Sequence, residues 1–421
     1  MEFFIYFLIL VLALLGTPIF VVMSAFALTA FSFADIELAA VPIEIYRLAA
    51  APTLLTIPLF TFAGYIMAES GSPNRIFRLT QAALGWLPGG VAIVSLVICA
   101  FFTAFTGASG VTIIALGGLL YPILIKEGFS EKFTLGIITT SGSLGLLFPP
   151  SLPIILYGLV AKVDIDKLFL AGIVPGILLI AILSLWAIKN GAKSPATERT
   201  KFSTEELKAA IWGARYEIPL PILVLTGIYG GYTTASEASA FTAAYVILIE
   251  CILYKDLSIR KDLPRIVNDS MTLVGAILLI LCCALGMTNY LVDEEIPMKI
   301  LEFMKTQIDS QVVFLIYLNI FLLIVGALMD IFSAIVIVVP LIVPIANAFG
   351  VHPIHLAIIF LTNLEIGYIT PPVGINLFIS SFRFKKPVTT LYRASLPYLV
   401  LLLIALIIIT YVPALSLFWF E

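Results

Sequence analysis

Long apolar runs recur from Phe3 to Phe418, each near the 20 or so residues that a helix needs to cross a hydrocarbon layer. Barrel strands would instead alternate over about ten residues, so the runs predict helical spans. Composition agrees: 61% of the 421 residues are hydrophobic, 12% are charged and mean hydropathy is +1.13, too little polar surface to cover a water-soluble fold. The fold class is an all-α polytopic membrane protein. The first run, Phe3 to Phe33, lacks a basic leader and a small-residue cleavage site and reads as a mature span. Cys99, Cys251, Cys282 and Cys283 lie in apolar segments without zinc spacing and read as free core thiols. A net charge of -3 and the lack of a basic stripe point to no nucleic-acid partner.

Lys and Arg gather in five regions expected to face the cytoplasm. These are Arg75 with Arg78, Lys126 with Lys132, the run Lys189 to Arg215 (with Lys193, Arg199 and Lys201), Lys255 to Arg265, and Arg383 to Arg393. Loops poorer in positive charge, such as Asp35 to Arg47 and Asp293-Glu294-Glu295, are expected outside. Threading the runs between them predicts crossings near 3–32, 52–69, 130–160, 168–188, 217–233, 235–254, 268–289, 353–383 and 389–418, with the N-terminus cytoplasmic and the C-terminus periplasmic. Two stretches, 88–126 and 311–348, begin and end on one side and are expected to enter and return. Small and polar residues suit both tips, Thr106-Gly107-Ala108-Ser109-Gly110 and Gly326-Ala327-Leu328-Met329-Asp330. Asp35 to Ala50, with Glu44 and Arg47 three apart, and Pro73 to Trp86 read as amphipathic interfacial helices. The expected divisions are scaffold 1–87, first transport half 88–188, central loop and scaffold 189–310, and second transport half with the last span 311–421.

"GSLGLLFPPS" (142–151) and "EIGYITPPVG" (365–374) share Gly-x-x-x-Pro-Pro inside apolar runs. Laying 121–160 over 343–382, a constant offset of 222, also matches Pro122 with Pro344, Gly128 with Gly350 and Thr140 with Thr362. The offset relates the two re-entrant stretches too, yet one opens inward and the other outward. Inverted repeats with broken helices are the architecture of secondary transporters, whose sites lie near the membrane midplane. Each proline removes an amide donor and clashes with the carbonyl four residues back, which predicts helix stops at Phe148 and Thr370. The freed carbonyls, with hydroxyls of Thr103, Thr106, Ser109, Thr112 and Thr370, suit a hard monovalent cation such as Na+.

Three carboxylates fall inside spans or tips. Asp330, in the second tip, is expected at the site; Glu237 either caps a helix or joins it; Glu365 reads as an anchor bonded to backbone near the break. Gly107-Ala108-Ser109-Gly110 also spells the G-x-S-G of an intramembrane serine protease. His352 and His355, the only histidines, are expected at a membrane face beside Pro353, where neither can serve Ser109 as a base. Neither a third metal ligand near them nor a P-loop is present in the sequence, so nucleotide-driven pumping by this chain is excluded. No enzyme activity is expected.

Together "FFTAFTGASG" (101–110), "GSLGLLFPPS", "GGYTTASEASA" (230–240), "GALMD" (326–330) and "NLEIGYITPPVGINLF" (363–378) resemble the large membrane subunit of tripartite ATP-independent periplasmic (TRAP) transporters, within the ion transporter superfamily. The resemblance covers essentially the whole chain. It implies a Na+-driven, elevator-type importer in the bacterial inner membrane, embedded in lipid. A small four-helix membrane subunit and a periplasmic substrate-binding protein that delivers a small organic anion would be its partners. Carried over by motif, Thr103, Thr106, Gly145, Phe148 and Pro150 would form one sodium site, and Gly326, Gly367, Thr370 and Val373 the other. Ser109, Thr112, Asp330, Ser333 and Asn376 are the expected substrate contacts. The alternative is a carrier of the same superfamily that needs no binding protein.

Overall fold

The computed structural model describes residues 2–34, 37–191, 202–308 and 310–420; Asp35, Lys193, Arg199 and Lys201 lie outside them, as do the side chains of Glu44 and Arg47. Among the described residues the chain is helical throughout, and seven helices are long and apolar enough to cross a bilayer. Both expected hairpins form. The first pairs Gly90–Thr106 with Ser109–Lys126 and turns at Gly107, whose φ of 64° is the left-handed conformation that glycine tolerates. The second pairs Gln311–Leu328 with Ile331–Ala348. Arms of 17 and 18 residues extend about 25–27 Å at 1.5 Å per residue, so length alone would let them cross. The first tip, however, ends inside protein: Thr106, Gly107 and Ser109 are buried.

The offset of 222 extends well beyond the motif that revealed it. It carries Ser109–Lys126 onto Ile331–Ala348, the broken pair Glu131–Ser141 and Leu152–Ala161 onto Pro353–Gly367 and Ile375–Phe384, and Ile165–Gly191 onto Val388–Tyr411, to within a few residues at the ends. It also relates the Thr56–Glu69 and Ser72–Leu84 pair to the end of Asp262–Asp293 and Ile296–Lys305. Each repeat is therefore a leading helix, a short helix, a hairpin, a broken helix and a long closing helix. The second arm of each hairpin packs on the second half of the other repeat's broken helix, Ser109–Lys126 on Ile375–Phe384 and Ile331–Ala348 on Leu152–Ala161.

Three expectations change. Residues 3–32 are not one crossing: Glu2–Leu14 and Ile19–Phe33 are separated by a turn at Gly16 (φ 90°) and Pro18, and Tyr6 packs on both Phe26 and Phe33, so the first helix folds back on the second. The second broken helix stops at Gly367, not Thr370, whereas the first tightens after Ser141 into a 3-10 turn, Leu144–Leu147, that ends at Phe148 as expected. His355 is not in a loop beside Pro353 but buried in the first turn of the helix Pro353–Gly367.

Beside the first interfacial helix sits a buried ionic node. Arg75 bonds Glu217, Glu250 at 2.7 Å and Asp256 at 2.5 Å, and its guanidinium lies 3.8 Å from the Tyr254 ring centre. The side chains of Glu217 and Glu250 are only 2% exposed. Removing the one cation would leave two buried carboxylates without a counter-charge, a loss of about 3–5 kcal/mol. Burial opposes ionisation of Asp256, but Arg75 and the Gly71 N–H outweigh it and hold its carboxyl below the ordinary aspartate range. A depressed carboxylate stabilises the fold above its unfolded value of about 4 and loses that contribution as pH falls through the lower folded value. Arg75→Ala is expected to lower the unfolding midpoint of purified protein by several degrees in a thermal melt, with Arg75→Lys in between; an unchanged midpoint in both would show that the node does not hold the scaffold.

Candidate functional site

The breaks explain the spacing of their own motif. Pro149 cannot donate to the carbonyl of Gly145, nor Pro371 to that of Gly367, so each of these carbonyls is denied the donor four residues on. The structure re-bonds both carbonyls alike. Phe148 N–H donates to Gly145 O at 3.0 Å and Thr370 N–H to Gly367 O at 3.0 Å, closing a tight turn in each repeat. One lone pair of each oxygen is thus used and a second remains. Both proline doublets contain a cis peptide bond.

Each break lies against its own hairpin, and glycine permits the approach. A Cβ on Gly145 would meet Thr103 Cβ at 2.6 Å and Ala104 N at 2.5 Å, and one on Gly367 would meet Gly326 Cα at 2.5 Å. The expected pairs Thr103 with Gly145 and Gly326 with Gly367 are therefore in contact. Gly374 N–H adds a bond to Ala327 O at 3.2 Å, and Ile331 N–H donates to the Tyr368 hydroxyl at 2.9 Å, fastening the second tip to the second break.

The hydroxyls of the first hairpin are organised into a buried seam. Thr103 Oγ1 lies 2.8 Å from Gly142 O, which can only accept, and 2.7 Å from Thr112 Oγ1, so Thr103 donates to the carbonyl and Thr112 donates to Thr103. Ser109 donates to Asn376 Oδ1 at 2.7 Å, and Asn376 Nδ2 donates to Thr139 O at 3.2 Å. Ser380 continues the seam to Thr139 Oγ1 at 2.9 Å. Ser109 and Asn376 come from different repeats, 267 residues apart, and meet where the first tip touches the restart of the second broken helix.

Other expected residues stand apart. Thr106 is buried and 3.4 Å from Ala108 O; the Phe148 ring packs beside Gly176; Pro150 is buried while Val373 is 37% exposed. Thr370 donates to Ile366 O at 2.9 Å. Asp330 caps Ile331–Ala348, accepting from Phe332 N and Ser333 N at 3.0 Å each and from the Ser333 hydroxyl at 2.5 Å, so both side chains are engaged by their own helix. Glu237 forms a capping box with Thr234. Glu365 is fully buried, and neither carboxylate oxygen meets a hydrogen-bond donor among the described residues, so it is not the backbone anchor expected. His352 caps Pro353–Gly367 and His355 bonds Ser416 and Thr410, which leaves Ser109 without a base and removes the protease reading.

Thr139, Gly142, Ser380, Tyr368 and Gly374 are structural members of the site that the sequence did not single out; of these only Gly374, two residues after the doublet, carried a local signal. The four cysteines are free thiols, as expected.

An inverted repeat of helical hairpins and broken helices defines a membrane transporter fold. The same fold occurs in the Alcanivorax borkumensis YdaH transporter, at TM-score 0.60 and 14% identity over 86% of this chain and 84% of that one. Neisseria gonorrhoeae MtrF matches at TM-score 0.55 and 14% identity over 84% and 80%. Residues 5–415 match the family model of the tripartite ATP-independent periplasmic transporter, DctM component, and the chain belongs to that family. The C4-dicarboxylate TRAP transporter large permease protein DctM of Vibrio cholerae is 37% identical over 86% of this chain and 84% of its own length, and its namesake in Pseudomonas aeruginosa is 35% identical over 93% and 91%. The isethionate TRAP transporter permease protein DctMQ of Oleidesulfovibrio alaskensis is 35% identical, and this chain spans 58% of its length. The relatives are permeases, so the chain is a multi-pass transporter component and not an enzyme.

The bond between repeats is measurable. In a double-mutant cycle of Ser109→Ala and Asn376→Ala on the unfolding midpoint, a coupling of about 1 kcal/mol is expected for a buried neutral hydrogen bond. Strict additivity would show that the two do not act as a pair.

Proposed function

We propose that this chain is the large membrane subunit of a Na+-coupled importer of a small organic anion, working with a small membrane subunit and a periplasmic binding protein in the bacterial inner membrane. The observation that carries the reading is the paired breaks: two Gly-x-x-x-Pro-Pro turns of the same geometry, each against its own hairpin tip, in a chain of the DctM family. Hard cations take oxygen ligands, and partly used carbonyls beside buried hydroxyls supply them without a fixed charge. Thr103, Thr106, Gly145, Phe148 and Pro150 would hold one ion, and Gly326, Gly367, Thr370 and Val373 the other. Thr103 and Gly145 in contact, and Gly326 and Gly367 in contact, support both sets.

The substrate is proposed to be a carboxylate, as in the C4-dicarboxylate and sialic acid permeases to which this chain is similar. Ser109, Thr112 and Asn376 form a neutral polar lining where the two repeats meet, and a serine hydroxyl or an amide N–H can donate to a carboxylate. Asp330 and Ser333 would act through the shape of the second tip, since their bonds fix its first turn. An elevator motion, in which hairpins and broken helices travel together, is the proposed means of alternating access. Contacts between each hairpin's second arm and the opposite broken helix support it, because they tie both halves into one body.

The test is uptake of a C4-dicarboxylate into proteoliposomes holding the chain with its small membrane subunit, with binding protein supplied outside. Imposed inward Na+ gradients are expected to drive accumulation, and Gly145→Val or Gly367→Val to reduce it at least tenfold while the protein still inserts. Undiminished Na+ dependence in both variants would contradict the sodium sites. Uptake by this chain alone, without binding protein, would instead favour the carrier that needs none.

A further inference from the structure

The two repeats share one fold but meet the scaffold differently. In the first, the scaffold helix Thr56–Glu69 packs on the arm Gly90–Thr106, and Gly64 receives the end of that arm: a Cβ there would lie 2.7 Å from Thr106 Cα and collide with the Phe105 backbone. Phe105 and Thr106 are accordingly buried, at 2% and 0% exposure. The offset of 222 carries Gly64 onto Gly286, which is buried in the corresponding helix Asp262–Asp293, and carries Phe105 and Thr106 onto Ala327 and Leu328. There the docking is not made. Leu328 is 55% exposed, and the helix Asp262–Asp293 packs instead on the other arm, Ile331–Ala348.

A large apolar side chain left open at one hairpin tip, where the matching residue of the other repeat is docked on a glycine, marks a contact made in one repeat and not in the other. Inverted repeats exchange roles between end states, because the two halves are the same structure facing opposite ways. We propose that Gly64 and Gly286 are the matched positioning residues of the two end states of transport. The present state is set by Phe105 and Thr106 closing on Gly64. The opposite state is set by Ala327 and Leu328 closing on Gly286, with the first tip released from Gly64. This rests on the alternating-access reading above, but not on which ion or solute is carried.

Alanine makes a discriminating test, since the obstruction at Gly64 arises at Cβ itself. Both glycines sit within helices, where alanine is favoured over glycine by roughly 0.5–1 kcal/mol, so a loss cannot be laid to a weakened helix. A thiol at the second tip, Leu328→Cys, is placed in a chain whose four native cysteines are replaced. Labelling by a membrane-impermeant maleimide is followed with the small membrane subunit present. Gly64→Ala is expected to slow labelling at least tenfold, because it excludes the state in which the tip is open. Gly286→Ala is expected to leave labelling at or above the parent rate. Both are expected to lower uptake at least tenfold.

Equal labelling in the two variants, or the reverse order, would overturn the proposal. A second measurement needs neither glycine variant: once Leu328→Cys protein is folded and reconstituted, attaching a bulky maleimide is expected to cut uptake at least tenfold, since that position must be enclosed in the opposite state. Full uptake after complete labelling would overturn the proposal equally. Parent protein without Na+-driven uptake would count against the proposed function instead, leaving the labelling result to judge the glycines.

Discussion

A peptide carbonyl deprived of its helical partner inside a bilayer must find another, and the rest of this architecture follows from that constraint. Two proline doublets each cancel donors to the carbonyls four residues back; a tight turn re-bonds the first of them, and the glycine at the head of each motif lets the hairpin approach it closely. Such a turn survives only with protein around it. A hairpin packed closely on the break, through glycine, provides that cover. The hairpins, the glycine contacts Gly145 with Thr103 and Gly367 with Gly326, and the buried hydroxyl seam are consequences of housing two interruptions.

Duplication makes the same solution serve twice, and inversion aims the copies at opposite faces. The two breaks nevertheless differ in surroundings. Pro150 is buried, whereas Pro371, Pro372 and Val373 are exposed, and the first tip is docked while Leu328 at the second is open. The sequence pattern is thus symmetric and the set of contacts is not. At one end the helices are held by the Arg75 node with its three carboxylates.

Much of this was legible in the sequence because glycine and proline report backbone geometry directly. The offset of 222, both hairpins and both interruptions could be read from them, while the pairing of Thr103 with the first break came from the family resemblance. Helix ends were less legible. Counting the residue before a proline as the stop overlooks the carbonyls it orphans one turn earlier, so the second broken helix stops at Gly367, while the first gives way to a 3-10 turn after Ser141 and reaches Phe148. An apolar run also hides a fold-back: Gly16 and Pro18 split the first run without changing its hydropathy. Least legible were partners distant in the chain, such as Asn376 for Ser109, and the neighbours of Asp330 and Glu365, because a carboxylate in an apolar stretch looks the same whether it caps a helix or meets no donor at all.

The central claim is that both hairpins turn back inside the membrane, from opposite faces, to cover the breaks. Sidedness of single cysteines at their outer ends tests this most directly, in sealed vesicles of either orientation and a chain without its native thiols. Trp86→Cys and Lys126→Cys are expected to react with an impermeant reagent from one face, and Thr306→Cys and Asn347→Cys from the other. If the two ends of either hairpin label from opposite faces, that segment spans the bilayer, the breaks lose their cover, and the account is wrong.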